Sequence, residues 1–132
     1  MTIEELQADY DRLNQRLKPT PNLYRFATER SDCGAPHVEL IGDEIHVVTT
    51  ERGLELSREV YTKKDDFLYS LISLNTFWMG VDHEFRNRIE DQDCRRIIFA
   101  NQLELLERID PRYADRRARE IEETLRENPY ND

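Results

Sequence analysis

Residues 65–109 read DDFLYSLISLNTFWMGVDHEFRNRIEDQDCRRIIFANQLELLERI, and their periodicity decides how the rest of the chain must fold. Phe67, Leu71, Leu74, Trp78, Val81 and Phe85 recur at alternating spacings of four and three. That spacing places all six on one face of a helix running from about 65 to 90. Leu68, Ile72 and Met79 widen the stripe, so this helix is expected inside the core. A second helix, about 91–109, carries Cys94, Ile98, Phe99, Leu103, Leu105, Leu106 and Ile109 on its expected buried side. Between the two lies a dense run of polar residues: His83, Glu84, Arg86, Asn87, Arg88, Asp91, Asp93, Arg95 and Arg96.

Upstream, the period falls to two. Val38 and Leu40, Ile45 and Val47, then Leu54, Leu56 and Val60 alternate with polar residues. Turns at Gly42-Asp43 and Glu51-Arg52-Gly53 separate them. Three such runs within 37–61 predict an antiparallel meander with one apolar and one wet face. A three-stranded sheet needs a cover, and the helix that follows is the natural one. Thr2 caps a first helix of about 2–17, with Glu5 completing a capping box and Ile3, Leu6, Tyr10, Leu13 and Leu17 on its inner face. Pro19 and Pro21 stop it. Leu23, Tyr24, Phe26 and Ala27 read as a short helical turn or a loop over the core. Asp110-Pro111 opens a last helix of about 111–127, with Tyr113, Ala114, Ala118, Ile121 and Leu125 facing in. The expected fold is α+β: an N-terminal helix, a three-stranded antiparallel meander sheet, then three consecutive helices packed on the sheet. One domain spans 1–132.

Composition narrows the function. The 132 residues carry a formal net charge of -9, with 36% charged residues. The mean hydropathy is -0.82. This acidity argues against nucleic acid, whose binders replace phosphate counterions with Lys and Arg. It argues equally against an anionic membrane surface. It suits a basic protein partner, because complementary fields speed encounter. Two cysteines without metal-ligand spacing suit a reducing compartment. The acidic, amphipathic N-terminus lacks the pattern of a signal peptide. No run approaches the roughly 18 apolar residues that span a bilayer. The expected location is the cytoplasm.

The chemistry-bearing patterns favour architecture over catalysis. His83-Glu84-Phe85-Arg86-Asn87 nearly matches the zinc-protease helix motif, but Asn87 replaces the second histidine, and an amide is a poor zinc ligand. His37 and His46 read as ordinary strand residues. Asp91 and Asp93 suit a helix N-terminus better than a magnesium site. Four glycines leave no phosphate-cradling loop. Arg116, Arg117 and Arg119 alternate with acids along a solvated helix face. No catalytic, cofactor-binding or metal-ligating residue is assigned, and the chain is not expected to be an enzyme. A small hydrolase using Glu84 or Asp91 would need a deep pocket and a carboxylate of raised pKa. The ionic residues Glu84, Arg88, Arg95 and Arg96, with Gln102, are expected to form a structural network locking the bend between the two long helices. Removing Glu84 from a shielded network would cost about 3–5 kcal/mol.

At these residues the sequence resembles the immunity protein 63 family of bacterial polymorphic toxin systems. The resemblance rests on Glu51-Arg52-Gly53, Tyr69, Glu84-x-x-Asn87-Arg88, Arg95-Arg96-x-x-Phe99-x-x-Gln102-x-Glu104-Leu105-Leu106 and the final Pro129-Tyr130-Asn131-Asp132. It covers the chain from about His37 onward. It implies a small intracellular antidote that binds and neutralises a cognate toxin domain by stoichiometric occlusion, without turnover. The net charge fits a basic toxin. Asp43, Glu44 and Glu51, presented at the sheet turns, are the expected toxin-binding acids. The alternative function is a non-catalytic regulatory or scaffold domain that binds another protein or itself as a homodimer. A sizeable exposed apolar patch around Trp78 or Tyr61 would favour self-association.

Overall fold

The computed structural model describes residues 1–17 and 26–132. Among these, the elements are α1 (Ile3–Asn14), β1 (Cys33–Ile41), β2 (Glu44–Glu51), β3 (Leu54–Tyr61), α2 (Lys64–Arg86), α3 (Arg95–Ile109) and α4 (Pro111–Glu127). The α+β order expected from sequence, a helix, a three-stranded antiparallel sheet and three helices, is the order found. Pro19, Pro21, Leu23 and Tyr24, read as a helix stop and a loop, lie outside the described residues. By contact the described chain falls into two units. One holds Met1–Gln15 and residues 26–69; the other holds Arg16, Leu17 and Ser70–Asp132. The helix α2 passes from the first into the second.

In the first unit, Thr2 accepts a hydrogen bond from the Glu5 amide at 3.1 Å, satisfying one free donor of the first turn. Leu6 and Tyr10 bury the inner face of α1. Tyr10, Phe26, Phe67 and Tyr61 form a chain of ring contacts with centroids 5.6–6.0 Å apart. This ties α1, the segment before β1, the end of β3 and the first turn of α2. Asp9 and Lys64 add an ion pair at 2.7 Å.

The strands pair in the order β1-β2-β3. Ile41 pairs with Glu44 and Glu51 with Leu54, so both connections are two-residue hairpins. Arg52 and Gly53 both have positive φ, 52° and 80°, as a type I′ turn requires. Residues directly opposite one another share a face. The row Leu40, Ile45 and Tyr61 and the row Val38, Val47 and Glu59 therefore form the face that meets Phe67.

Two expectations for the sheet are corrected. Leu54, Leu56 and Val60 do not form the apolar face of β3; all three are exposed. A bulge lies where Thr49 pairs with Ser57 but Thr50 with Glu55, leaving Leu56 as the extra residue. The insertion breaks the alternation and sends Leu54 and Val60 to opposite faces. Nor is the second face simply wet. His37, His46, Val48 and Thr50 are buried on it.

In the second unit, Ile98, Phe99 and Ile121 form a buried cluster, with Phe77, Val81, Leu103, Leu125 and Tyr130 packed against it. Here the reading of α2 holds only in part: Phe67, Leu68 and Ile72 are buried and Val81 packs on this cluster, as expected. Leu74, Trp78 and Phe85, expected on the buried face, are 54%, 58% and 72% exposed. The face that meets α3 carries Ser73, Thr76, Phe77, Gly80 and Val81. A Cβ on Gly80 would stand 2.7 Å from the Ile98 carbonyl oxygen, so the two backbones touch where the glycine is. The glycine permits that approach, with Phe77 and Val81 packing beside it; Leu74, Trp78 and Phe85 are left outside. On α3 and α4, Cys94 and Ala118 are likewise exposed rather than buried.

The bend between α2 and α3 is also longer than expected, because α2 ends at Arg86 and α3 starts at Arg95. The Asn87 side chain donates to the His83 carbonyl at 2.9 Å, closing α2. Asp91 then takes a φ of 65°, which turns the chain. Just before α3, the Asp93 side chain accepts from the Arg95 amide at 3.0 Å. Asp110 caps α4 by accepting from the Arg112 amide at 2.9 Å, with Pro111 in the first turn.

Candidate functional site

The five residues expected to form one ionic network are distributed among three bonding groups. Glu84 accepts from Arg88 through both Nε and Nη2, at 2.9–3.3 Å. Its side chain is 5% exposed, that of Arg88 63%. The carboxylate is therefore inside and the guanidinium outside, lying 5.6 Å from the centre of the Phe85 ring.

Arg95 and Arg96 turn away from Glu84 and hold the segment after α4. Arg95 pairs with Asp93 at 2.8 Å and donates to the carbonyls of Asn128 and Pro129, each at 2.8 Å. Arg96 forks onto both oxygens of Asp132 at 2.8 and 2.9 Å, and its guanidinium lies over the Tyr130 ring at 4.1 Å. Asp93 completes the clasp by accepting from the Asn131 amide at 3.1 Å. The Arg95 guanidinium holds the Asp93 carboxyl far below the usual aspartate range. That of Arg96 takes Asp132 down to about 2. Carboxylates kept this firmly ionised are poor proton donors near neutrality.

Gln102 forms the third group and is fully buried. Its amide nitrogen donates to the Ser73 carbonyl at 2.9 Å and to Thr76 Oγ1 at 3.3 Å. Its amide oxygen accepts from Arg117 Nε at 2.9 Å. One side chain thereby joins α2, α3 and α4 with its polar atoms satisfied.

The acids expected to meet a partner lie at two ends of one strand. Asp43 and Glu44 are at the first turn and Glu51 at the far end of β2; all three are exposed. Seven residue steps along the strand separate Glu44 from Glu51, or about 24 Å at the usual rise. Glu44 is engaged, because His46 Nε2 lies 3.1 Å from its carboxylate.

Sequence reasoning missed the polar row beside it. Arg58 Nη1 lies 2.8 Å from His46 Nδ1 and 3.3 Å from Glu39, while Nη2 pairs with Glu55 at 2.7 Å. A guanidinium only donates, so His46 Nδ1 is the acceptor and its proton is on Nε2, directed at Glu44. Nothing in the linear spacing signals this row. It exists because the hairpin registers put Glu39 opposite His46 and His46 opposite Val60, with Arg58 one row along. The thiol of Cys33, on β1, is lowered chiefly by its hydrogen bond with Ser31.

A shallow groove of about 290 Å³ lies over α3, lined by His83, Gln92, Arg96, Ile97, Ala100, Asn101 and Glu104. Glu84 and Asp91, the acids a hydrolase would need, do not line it. Among the described residues, no group of three or more His, Cys, Asp or Glu side chains could hold a metal ion. No helix among them is long and apolar enough to cross a membrane.

The outer face of α2 exposes large apolar side chains. Leu74, Trp78 and Phe85 follow one another at four- and seven-residue intervals, with Ile89 just beyond the helix end also 53% exposed. Large apolar side chains aligned on one exposed helix face, here with Asp82 between Trp78 and Phe85, are the pattern of an interaction surface.

The immunity protein 63 family model matches residues 42–123, more than half of the chain. The chain belongs to the immunity protein 63 family. In this family member the match takes in β2, β3, α2, α3 and most of α4. It therefore includes the Glu84–Arg88 pair, Gln102 and the whole α2 strip. The tail Pro129–Asp132 lies outside the matched span, although Arg95 and Arg96 that grip it lie within. Searches of curated proteins and of solved structures returned no match.

Proposed function

We propose that this protein binds a cognate bacterial toxin domain one-to-one and neutralises it by occlusion, without turnover, in the cytoplasm of the cell it protects. Family membership over residues 42–123 is the observation that carries this reading. The geometry supports it. Asp93, Asp132 and Glu84 are taken up by arginines, so these three acids serve architecture; Glu90 and Asp91, in the bend itself, do not line the groove over α3. The net charge of -9 supports a basic toxin. In this scheme the exposed turn acids Asp43, Glu44 and Glu51 act at long range, steering the toxin toward the complex.

The test is co-expression with the toxin domain encoded beside this gene. The expected result is restored growth and a complex of one copy of each chain by light scattering. Continued killing, with no complex formed, refutes the reading.

A further inference from the structure

We propose that the outer strip of α2, formed by Leu74, Trp78 and Phe85 with Ile89 beyond it, is the face that seats the toxin. The complementary surface would be an apolar cleft edged by Lys and Arg. This rests on the immunity reading and names the anchoring contact within it.

Three observations converge on the strip. First, these are large side chains left in water by a helix whose other face is occupied. Ser73, Thr76 and Gly80 meet α3, with a Gly80 Cβ position 2.7 Å from the Ile98 oxygen. The strip is thus not an unfinished core; α2 is already held from behind by Gln102. Second, tryptophan is the residue type most enriched among contacts that dominate binding, and it does so when surrounded by side chains that exclude water. Trp78 is the chain's one tryptophan, flanked by Leu74 and backed by the edge of Phe77, with ring centroids 5.6 Å apart. Third, the rim has a sign. Asp82 is paired with Arg86 and Glu84 with Arg88, so these four charges cancel. Glu90 and Asp91, exposed beside Ile89, have no ion pair among the described residues and leave the strip's far end acidic. A basic cleft complements that end. A second copy of this chain does not, because it brings the same acids and the same net charge of -9.

The single tryptophan makes the strip directly observable. The protein is labelled with 5-fluorotryptophan and titrated with the purified toxin domain encoded beside its gene, while the fluorine resonance and the affinity are both followed. The expected result is a resonance shift that saturates at one equivalent. Trp78→Ser should weaken binding about thirty-fold or more, the factor that corresponds to the 2 kcal/mol threshold of a dominant contact. Its thermal melt should stay close to the parent's, since more than half of the side chain is exposed and its inner contact is the edge of Phe77. Asp43→Lys/Glu51→Lys should slow association and leave dissociation unchanged.

Tight binding with an unmoved fluorine resonance and parental affinity in Trp78→Ser overturns the docking face and leaves the immunity reading standing. No binding by the parental protein overturns both. A parental protein that sediments as a dimer, and becomes a monomer with Trp78→Ser, assigns the strip to a second copy and overturns the proposal.

Discussion

Replacing Gly80 with alanine tests how the second unit is assembled. Helix propensity alone favours the change by about 1 kcal/mol, because glycine loses more backbone freedom than alanine. The structure opposes it. The new methyl would stand 2.7 Å from the Ile98 carbonyl oxygen, 0.7 Å inside the 3.4 Å at which ordinary contact begins. That oxygen belongs to the α3 backbone and cannot rotate aside. Helix α3 must withdraw, and Ile98 and Phe99 withdraw with it from Phe77 and Val81. Overpacking of this kind costs about 1–3 kcal/mol, and a rigid obstacle places it at the upper end. The net expectation is a loss of about 2 kcal/mol, or a Tm lowered by roughly 8 °C for a chain of this size. Thermal and urea unfolding followed by circular dichroism supply the measurement. His83→Ala, at an exposed position one turn along, isolates propensity and should raise stability by a few tenths of a kcal/mol or so. If Gly80→Ala also raises the Tm, the close approach of α2 and α3 is refuted.

Gln102→Leu keeps the approximate volume of the side chain but removes its links to Ser73, Thr76 and Arg117; a loss of about 1–3 kcal/mol is expected in urea unfolding, and an unchanged midpoint would show the three-helix junction to be apolar in effect. The Glu84–Arg88 pair should respond asymmetrically: Glu84→Gln returns an already exposed guanidinium to water and costs little, whereas Arg88→Met strands a buried carboxylate and lowers the Tm more, an order that equal melts would contradict. The segment held by Arg95 and Arg96 should respond to acid. The Asp132 carboxyl is depressed from 3.8 to about 2 and that of Asp93 is depressed as well, so their contribution is complete above the ordinary value and is lost as pH falls through the folded one. Tyr130 ring resonances should therefore hold steady from neutrality to about pH 4 and shift only below it; release near neutral pH would mean that the clasp is not ionic.

The elements were legible wherever their causes are local. Gly42-Asp43 and Arg52-Gly53 specify two-residue turns, Thr2 and Asp110-Pro111 specify helix starts, and Glu84 finds Arg88 because four residues are one turn. What local spacing does not contain is the identity of a distant partner. Arg96 lies 36 residues from Asp132 in sequence, and several carboxylates nearer to it were equally plausible acceptors. The row of Glu39, His46 and Arg58 depends on two hairpin registers at once, and one bulge at Leu56 is enough to invalidate the alternation assumed for β3.

The α2 reading holds for Phe67, Leu68, Ile72 and Val81 but not for Leu74, Trp78 and Phe85, for a more instructive reason. Hydrophobic periodicity reports that a helix is two-faced, and the usual inference assigns the apolar face to the core. That inference assumes the core is built by this chain alone. Here the mid-helix glycine was the contrary signal: a residue that costs about 1 kcal/mol in a helix persists where another backbone must come close. With Gly80, Thr76 and Ser73 at the close approach, Phe77 and Val81 packing on Ile98 and Phe99, and Gln102 supplying hydrogen bonds, the second unit is held mostly by residues other than Leu74, Trp78 and Phe85. An antidote gains from that separation. The residues that hold α2 in place and the residues that would meet a toxin lie on opposite sides of the same helix, so the outer side chains can change with the toxin while the inner ones keep the helix rigid. Such a preformed face loses little conformational freedom on binding, which is where rigid interfaces gain affinity over flexible ones.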